Sequence, residues 1–398
     1  MYDENGGDGI LPWQVIKRMV AAGRISASPD VLDSQIQPAS IDLRLGPKAF
    51  RVQGSFLKGR SATLLTRVRE LTDDTVDLTQ PTPSLLERGV VYIIPLLERL
   101  NLPSDVYGVA NPKSTTGRLD IFTRLITECG DEFDRVPQHY SGELYLEVSS
   151  RTFPIRAKAG MTLNQLRFVR GNPENPKVLR NNALRDLAKD HPLIYAPDGR
   201  PSMEHIGDGV EITVDLAGLD HTIVAYKAKA KESQRAIELD KNNHYDPTAY
   251  WEAIPVPRSG YIILETNGFY LLASKGKVSV PLTHAAEMVA YDASMGEFRV
   301  HYAGFFDPGF GYGANGEIQG TKAVLEVRAY EVPILLEDGH VVGRLNYYPM
   351  ASAPKRVYGT SIGSSYQQQG LALSKQFERP DRTQQEAILT SREVPQAC

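Results

Sequence analysis

Cysteine is nearly absent. Among 398 residues only Cys129 and Cys398 are cysteines, and the second is the last residue. Two thiols so placed argue against a disulfide framework and fit a reducing compartment. They also exclude a class of chemistry. Zinc-dependent nucleoside deaminases carry an H-x-E segment and then P-C-x-x-C; here no C-x-x-C occurs, and none of the eight His opens an H-x-E. A Cys-rich structural zinc site lacks its ligands for the same reason. Long apolar runs are missing too, and the start, "MYDENGGDGILPWQ", is acidic and polar rather than a signal peptide. The expectation is a soluble, cytoplasmic chain with no membrane contact. Nor is there an excess of positive charge: Lys and Arg number 44 against 48 Asp and Glu, a net charge of −4. That excludes a general nucleic-acid binder, which needs a basic surface to displace counterions. A small polyanion needs only a local cluster of cations.

What is present reads mostly as strands. The segment 11–25 has Val15, Ile16, Met19 and Val20 at helical spacing and Gly23 after them, a short amphipathic helix with a glycine stop. Beyond it "SIDLRLG" (40–46), "VVYIIPLL" (90–97), "ELYLEVSS" (143–150) and "LNQLRFV" (163–169) alternate or are rich in β-branched residues, bounded by Pro, Gly and Asn. The polar, proline-rich stretch 172–208 interrupts this rhythm as a linker with a short helix at 182–189. Strand-like segments return at 209–218, 260–266, 268–274, 323–330 and 342–350. The tail from 376 to 398 is polar. A chain of this length exceeds one hydrophobic core.

The two halves match in order. "QPASIDLRLG" (37–46) corresponds to "GVEITVDLAG" (209–218), 87–110 to 265–290, "GELYLEV" (142–148) to "TKAVLEV" (321–327), and 159–169 to 338–348. Four correspondences at similar spacings favour an internal duplication over two unrelated β domains. The expected units are 1–171, a linker at 172–208, 209–375, and a tail at 376–398.

Four segments carry possible chemistry. "NPKSTTGRLDI" (111–121) packs Lys113, Ser114, Thr115, Thr116 and Arg118 around Gly117, a composition suited to an anion; alone, it reads equally as a polar turn. "VHYAGFFDPGFGYG" (300–313) holds Asp307 at an Asp-Pro-Gly turn, with aromatic residues, Phe310 included, able to floor a pocket for a planar ring. Glu147 in "LYLEV" and Glu326 in "AVLEV" occupy matching strands. On a solvated face either is bland; partly buried in a cleft, either acquires the raised pKa of a general base. "SSYQQQGLALSKQF" (364–377) is a solvated patch or a closing arm with Tyr366, Gln368 and Gln369 as ligands.

Taken together, "IQPASIDLRLG", "KSTTGRLDI", "AGFFDPGF…VLEV" and "YQQQG…S" resemble the dCTP deaminases of the dCTP deaminase/dUTPase superfamily, over about 10–171 and less strongly 209–375. The resemblance implies a mainly β chain of two tandem distorted β-barrel or jelly-roll (dUTPase-like) repeats with a few short helices. It implies zinc-independent deamination of dCTP to dUTP, Mg2+ carried with the triphosphate, homotrimers or other homo-oligomers, and a C-terminal lid. By position Ser114 and Arg118 match the family's loop Ser and Arg, with Lys113 and Thr115 replacing an Arg and a Ser. Two glutamates match its water-activating base, Glu326 and Glu147. The first half has the hydroxyl loop but, around Asp134, lacks Asp-Pro-Gly. The second keeps Asp307 and Glu326, but its loop position at 291–300 retains only Ser294. The expectation is a composite site: Ser114, Arg118 and Lys113 from one repeat, Asp307, Phe310, Glu326 and the Tyr366–Gly370 lid from the other. The long segment 309–322 is expected to shift the glutamate or form an extra hairpin. A dUTP diphosphatase, a bifunctional enzyme and a non-catalytic deoxynucleotide-binding regulator are the competing readings.

Overall fold

Val15, Ile16 and Met19 form the buried stripe of helix α1 (Trp13–Ala21), and Gly23 follows at φ 69, so the periodicity and the glycine stop act as read. The computed structural model describes residues 6–57, 63–128, 130–218, 222–229, 235–290, 298–300, 304–359, 367 and 369–379. Cys129, Ser294, Tyr366, Gln368 and Cys398 lie outside them. Among the described residues the chain is mainly β, with three further α-helices: α2 (Leu64–Leu71), α3 (Ser114–Gly117) and α4 (Asn181–Asp190). The last is the helix expected in the linker. α2 has only two buried positions, Leu64 and Val68, too weak a period to be read from sequence.

The same pairing order recurs in both halves. In the first, Thr162–Arg170 lies between Ile41–Arg44 and Val106–Pro112, and the latter pairs with Arg135–Val136. In the second, Val341–Pro349 lies between Val210–Thr213 and His284–Ala290, which pairs with Phe305–Phe306. The companion sheets run Lys48–Val52, Val91–Asn101, Ser141–Ser150, Ile121–Thr127 and, correspondingly, Ile223–Ala228, Phe269–Val278, Thr321–Ala329, Phe298–Val300. Registers agree as well: Glu147 stands opposite Ile93 and Glu326 opposite Leu271. Even a local device repeats. The Tyr92 hydroxyl accepts the Glu87 amide at 3.1 Å, and the Tyr270 hydroxyl accepts the Glu265 amide at 3.0 Å.

The two halves differ in what covers one face of the companion sheet. Strand alternation sends Tyr270 and Leu272 into the second half's own core, while Phe269 and Leu271 join the larger core built on the first half. Phe153 packs edge-on against Tyr250 and Trp251 at 5.6 Å along that junction. In the first half the equivalent face, carrying Ile93 and Tyr145, is roofed instead by Leu64 and Val68 of α2. The face of Glu326 is therefore closed by the other half of the chain, and the face of Glu147 by a local helix. The segment after Asp307 adds no hairpin: residues 307–320 form turns and bends before the strand Thr321–Ala329.

Candidate active site

The loop "KSTTGR" is a single helical turn. Lys113 is its extended N-cap residue, and its carbonyl accepts the amides of Thr116 and Gly117 at 2.8 and 2.9 Å. The Arg118 amide donates to the Ser114 carbonyl at 3.1 Å. Residues four apart on such a turn share a side, so Ser114 and Arg118 face one way. Thr116 points elsewhere, donating to the Leu163 carbonyl at 2.8 Å. That is the physical content of the Ser-x-x-x-Arg spacing.

Ser114 and Arg118 face a cavity of about 60 Å³ whose opposite wall comes from the second half: Phe306, Asp307, Phe310, Val324 and Glu326. Lys113 and Gln369 also line it. Asp307 is set by its turn. The Phe310 amide donates to the Asp307 carbonyl at 3.1 Å, and Gly309 has φ 96, a conformation that favours glycine, where a Cβ would also sit tightly at 3.2 Å from the Tyr358 amide. The C-terminal segment ties the two walls together. Gln367 accepts the Gly311 amide at 3.2 Å and donates to the Gly309 carbonyl at 3.1 Å, while Arg118 donates to Gln369 and to the Ala372 carbonyl, each at 3.0 Å.

Burial sets the electrostatics. Glu326, 6% exposed, has its carboxyl pushed from 4.5 up to about 7 by burial, with the Arg118 guanidinium pulling it back. Asp307 is pushed up to about 6 by burial, opposed by Arg167. Arg167 was not singled out from sequence, where it reads as an outward-facing charge in an alternating strand. It is 2% exposed, reaches from the first half to Asp307 at 3.4 Å and to the Ala286 carbonyl at 3.1 Å, and stacks on Phe305 at 4.0 Å.

The remaining residues fall elsewhere. Lys113 is held by Asp42 at 2.5 Å and by Thr162 at 2.9 Å. It also lines a second cavity of about 190 Å³, shared with Thr115, Thr162 and Lys375. Glu147 does not line the first cavity. It is 1% exposed and bound by Arg124 at 2.7 Å, whose guanidinium lies 3.7 Å from the centre of the Phe133 ring. Its face is neither solvated nor a cleft, but sealed. Tyr366 and Gln368 lie outside the described residues.

Models of the N-terminal and C-terminal domains of 2'-deoxycytidine 5'-triphosphate deaminase match residues 7–172 and 180–377. The chain belongs to the dCTP deaminase family. Curated relatives include the dCTP deaminase of Shewanella amazonensis, 27% identical over 177 residues (42% of this chain, 88% of that one). The dUMP-forming dCTP deaminase of Mycolicibacterium vanbaalenii is 33% identical over 159 residues, 39% of this chain and 77% of its own. These family members are thus about half as long as this chain. A crystal structure of 2'-deoxycytidine 5'-triphosphate deaminase from Agrobacterium tumefaciens is 41% identical with a TM-score of 0.78, covering 86% of this chain and 99% of that one.

Proposed function

We propose that this member of the family hydrolyses dCTP to dUTP and ammonia in deoxynucleotide metabolism, at one composite site per chain. The observation that carries the reading is the cavity itself: Ser114 and Arg118 from one half face Glu326 and Asp307 from the other. Glu326, ionised, takes a proton from water as the oxygen bonds to C4 of cytosine. That proton passes to ring N3; the proton left on the C4 hydroxyl then passes through Glu326 to the amine, and the C4–N4 bond breaks as C4=O forms, releasing ammonia. A carboxyl with a pKa near 7 suits both steps, accepting and returning a proton at little cost. Ser114 and Arg118 hold the water and the developing negative charge. Asp307 accepts a sugar hydroxyl, and Phe310 packs beside the nucleoside.

The phosphates run past Lys113 toward the larger cavity, where Thr115, Thr162 and Lys375 supply hydroxyls and a second cation. Mg2+ enters with the triphosphate, as part of the substrate. In this reading the C-terminal segment, with Gln369 at the cavity, closes over dCTP. The repeated pairing order supports reading the two halves (1–171 and 209–375, joined by 172–208) as a duplication; this reading takes each half as a distorted barrel or jelly-roll unit and the enzyme as cytoplasmic and self-associating.

Incubation with Mg·dCTP tests the proposal. Ammonia and dUTP are expected, and their absence refutes it; Glu326→Gln should cut turnover by at least about 100-fold. The likeness to dUMP-forming relatives favours one second reading, in which dUTP is hydrolysed further. Pyrophosphate released together with ammonia identifies it.

A further inference from the structure

Residues two apart on a strand share a face. On Thr321–Ala329 this places Val324, Glu326 and Arg328 together, on the face that the first half covers. Val324 and Glu326 line the cavity, and Arg328 lies one pleat beyond it. From the first half, Arg118 closes the helical turn and Asp120 follows two residues later, in the left-handed region at φ 57. The two segments meet in two rungs of opposite polarity. Arg118 acts on Glu326, and Asp120 is ion-paired with Arg328.

The second rung is buried and braced. Asp120 is 0% and Arg328 8% exposed. Thr152 donates to Asp120 Oδ2 at 2.5 Å and accepts from Arg328 at 3.0 Å, while Arg328 also donates to the Asn267 carbonyl at 2.6 Å. The Asp120 carbonyl accepts the Arg151 amide at 3.0 Å. A left-handed backbone suits glycine better than a residue with a side chain, so the carboxylate is kept there against a conformational cost. Buried ion pairs add little net stability over apolar replacements.

We propose that Asp120 and Arg328, with Thr152, are positioning residues that lock the first-half turn against the second-half strand, so that Ser114 and Arg118 stand opposite Glu326. The proposal rests on the deaminase reading of that cavity. Neither Asp120 nor Arg328 lines it, so both act through Arg118 and Glu326.

The test uses the full chain. Asp120→Asn removes the charge but tolerates the left-handed backbone; Arg328→Met removes the partner, and Arg328→Lys keeps the charge without the fork. A misplacement of about 1 Å costs on the order of 100-fold. Asp120→Asn and Arg328→Met should therefore lower kcat roughly 10- to 100-fold, with KM changed far less. Arg328→Lys should recover part of the loss. The acid limb of kcat/KM should move to higher pH, because Arg118 no longer acts fully on Glu326. The double variant should be no worse than the poorer single one. Thr152→Val is the gentler variant should the charge variants not fold, and a smaller kcat loss of the same kind is expected. A crystal structure of Asp120→Asn should show the 114–118 turn drawn away from Glu326. Folded variants with wild-type kcat and acid limb, or a crystal structure with the turn unmoved, would overturn the proposal. A wild-type protein that leaves dCTP untouched would instead sink the deaminase reading, and the crystal structure would still decide the clasp.

Discussion

Replacing Glu326 by Gln should abolish turnover and yet stabilise the fold at alkaline pH. Burial raises the folded-state pKa from 4.5 to about 7. The sign follows from proton uptake. Between these values the folded state binds more protons than the unfolded chain, so the contribution of Glu326 is intact below pH 4.5 and declines as pH rises through about 7. A tenfold change in proton affinity corresponds to about 1.4 kcal/mol, so above pH 7 the ionised carboxylate costs the fold about 3 kcal/mol. Glutamine does not titrate. Relative to wild type, Glu326→Gln should thus gain about 2–3 kcal/mol on going from pH 5 to pH 8. Urea denaturation of both proteins at the two pH values measures this difference, and any pH-independent effect of the buried amide cancels. A gap between variant and wild type that stays constant from pH 5 to pH 8 would refute the account of Glu326 as a carboxylate kept near neutrality by burial.

Two further outcomes follow from the same geometry. The acid limb of kcat/KM should lie near pH 7, with roughly tenfold less activity at pH 6 than at pH 8, because the base must be ionised; Arg118→Ala should move the limb upward, since Arg118 opposes the rise. Glu147→Gln should leave dCTP turnover within about twofold while lowering the denaturation midpoint, because it weakens the charged hydrogen bonds from Arg124, at a cost of about 1–3 kcal/mol. Steady-state kinetics beside thermal melts of one preparation separates those two effects.

Much of the fold was legible because it rests on short-range rules. The stripe of Val15, Ile16 and Met19, the alternation of Leu144, Leu146 and Val148, and the Asp-Pro-Gly turn at Asp307 each depend on residues within a few positions. Ser114 and Arg118 were legible for the same reason, one helical turn apart. The matched order of strings in the two halves also foreshadowed the matched order of strands.

The choice between the two glutamates was not legible. "LYLEV" and "AVLEV" make the same strand with the same register to its neighbour. What differs is what meets that face: α2 and the cross-strand Arg124 at Glu147, the first-half turn at Glu326. The contacts that decide it span 208 residues for Asp120 and Arg328 and 140 for Arg167 and Asp307, and no local pattern encodes them. Sequence by itself determined which residue types and which strands this protein has. Tertiary structure alone decided which glutamate faces the cavity shared with Ser114 and Arg118, because that depends on what packs against a face and not on the residues along it.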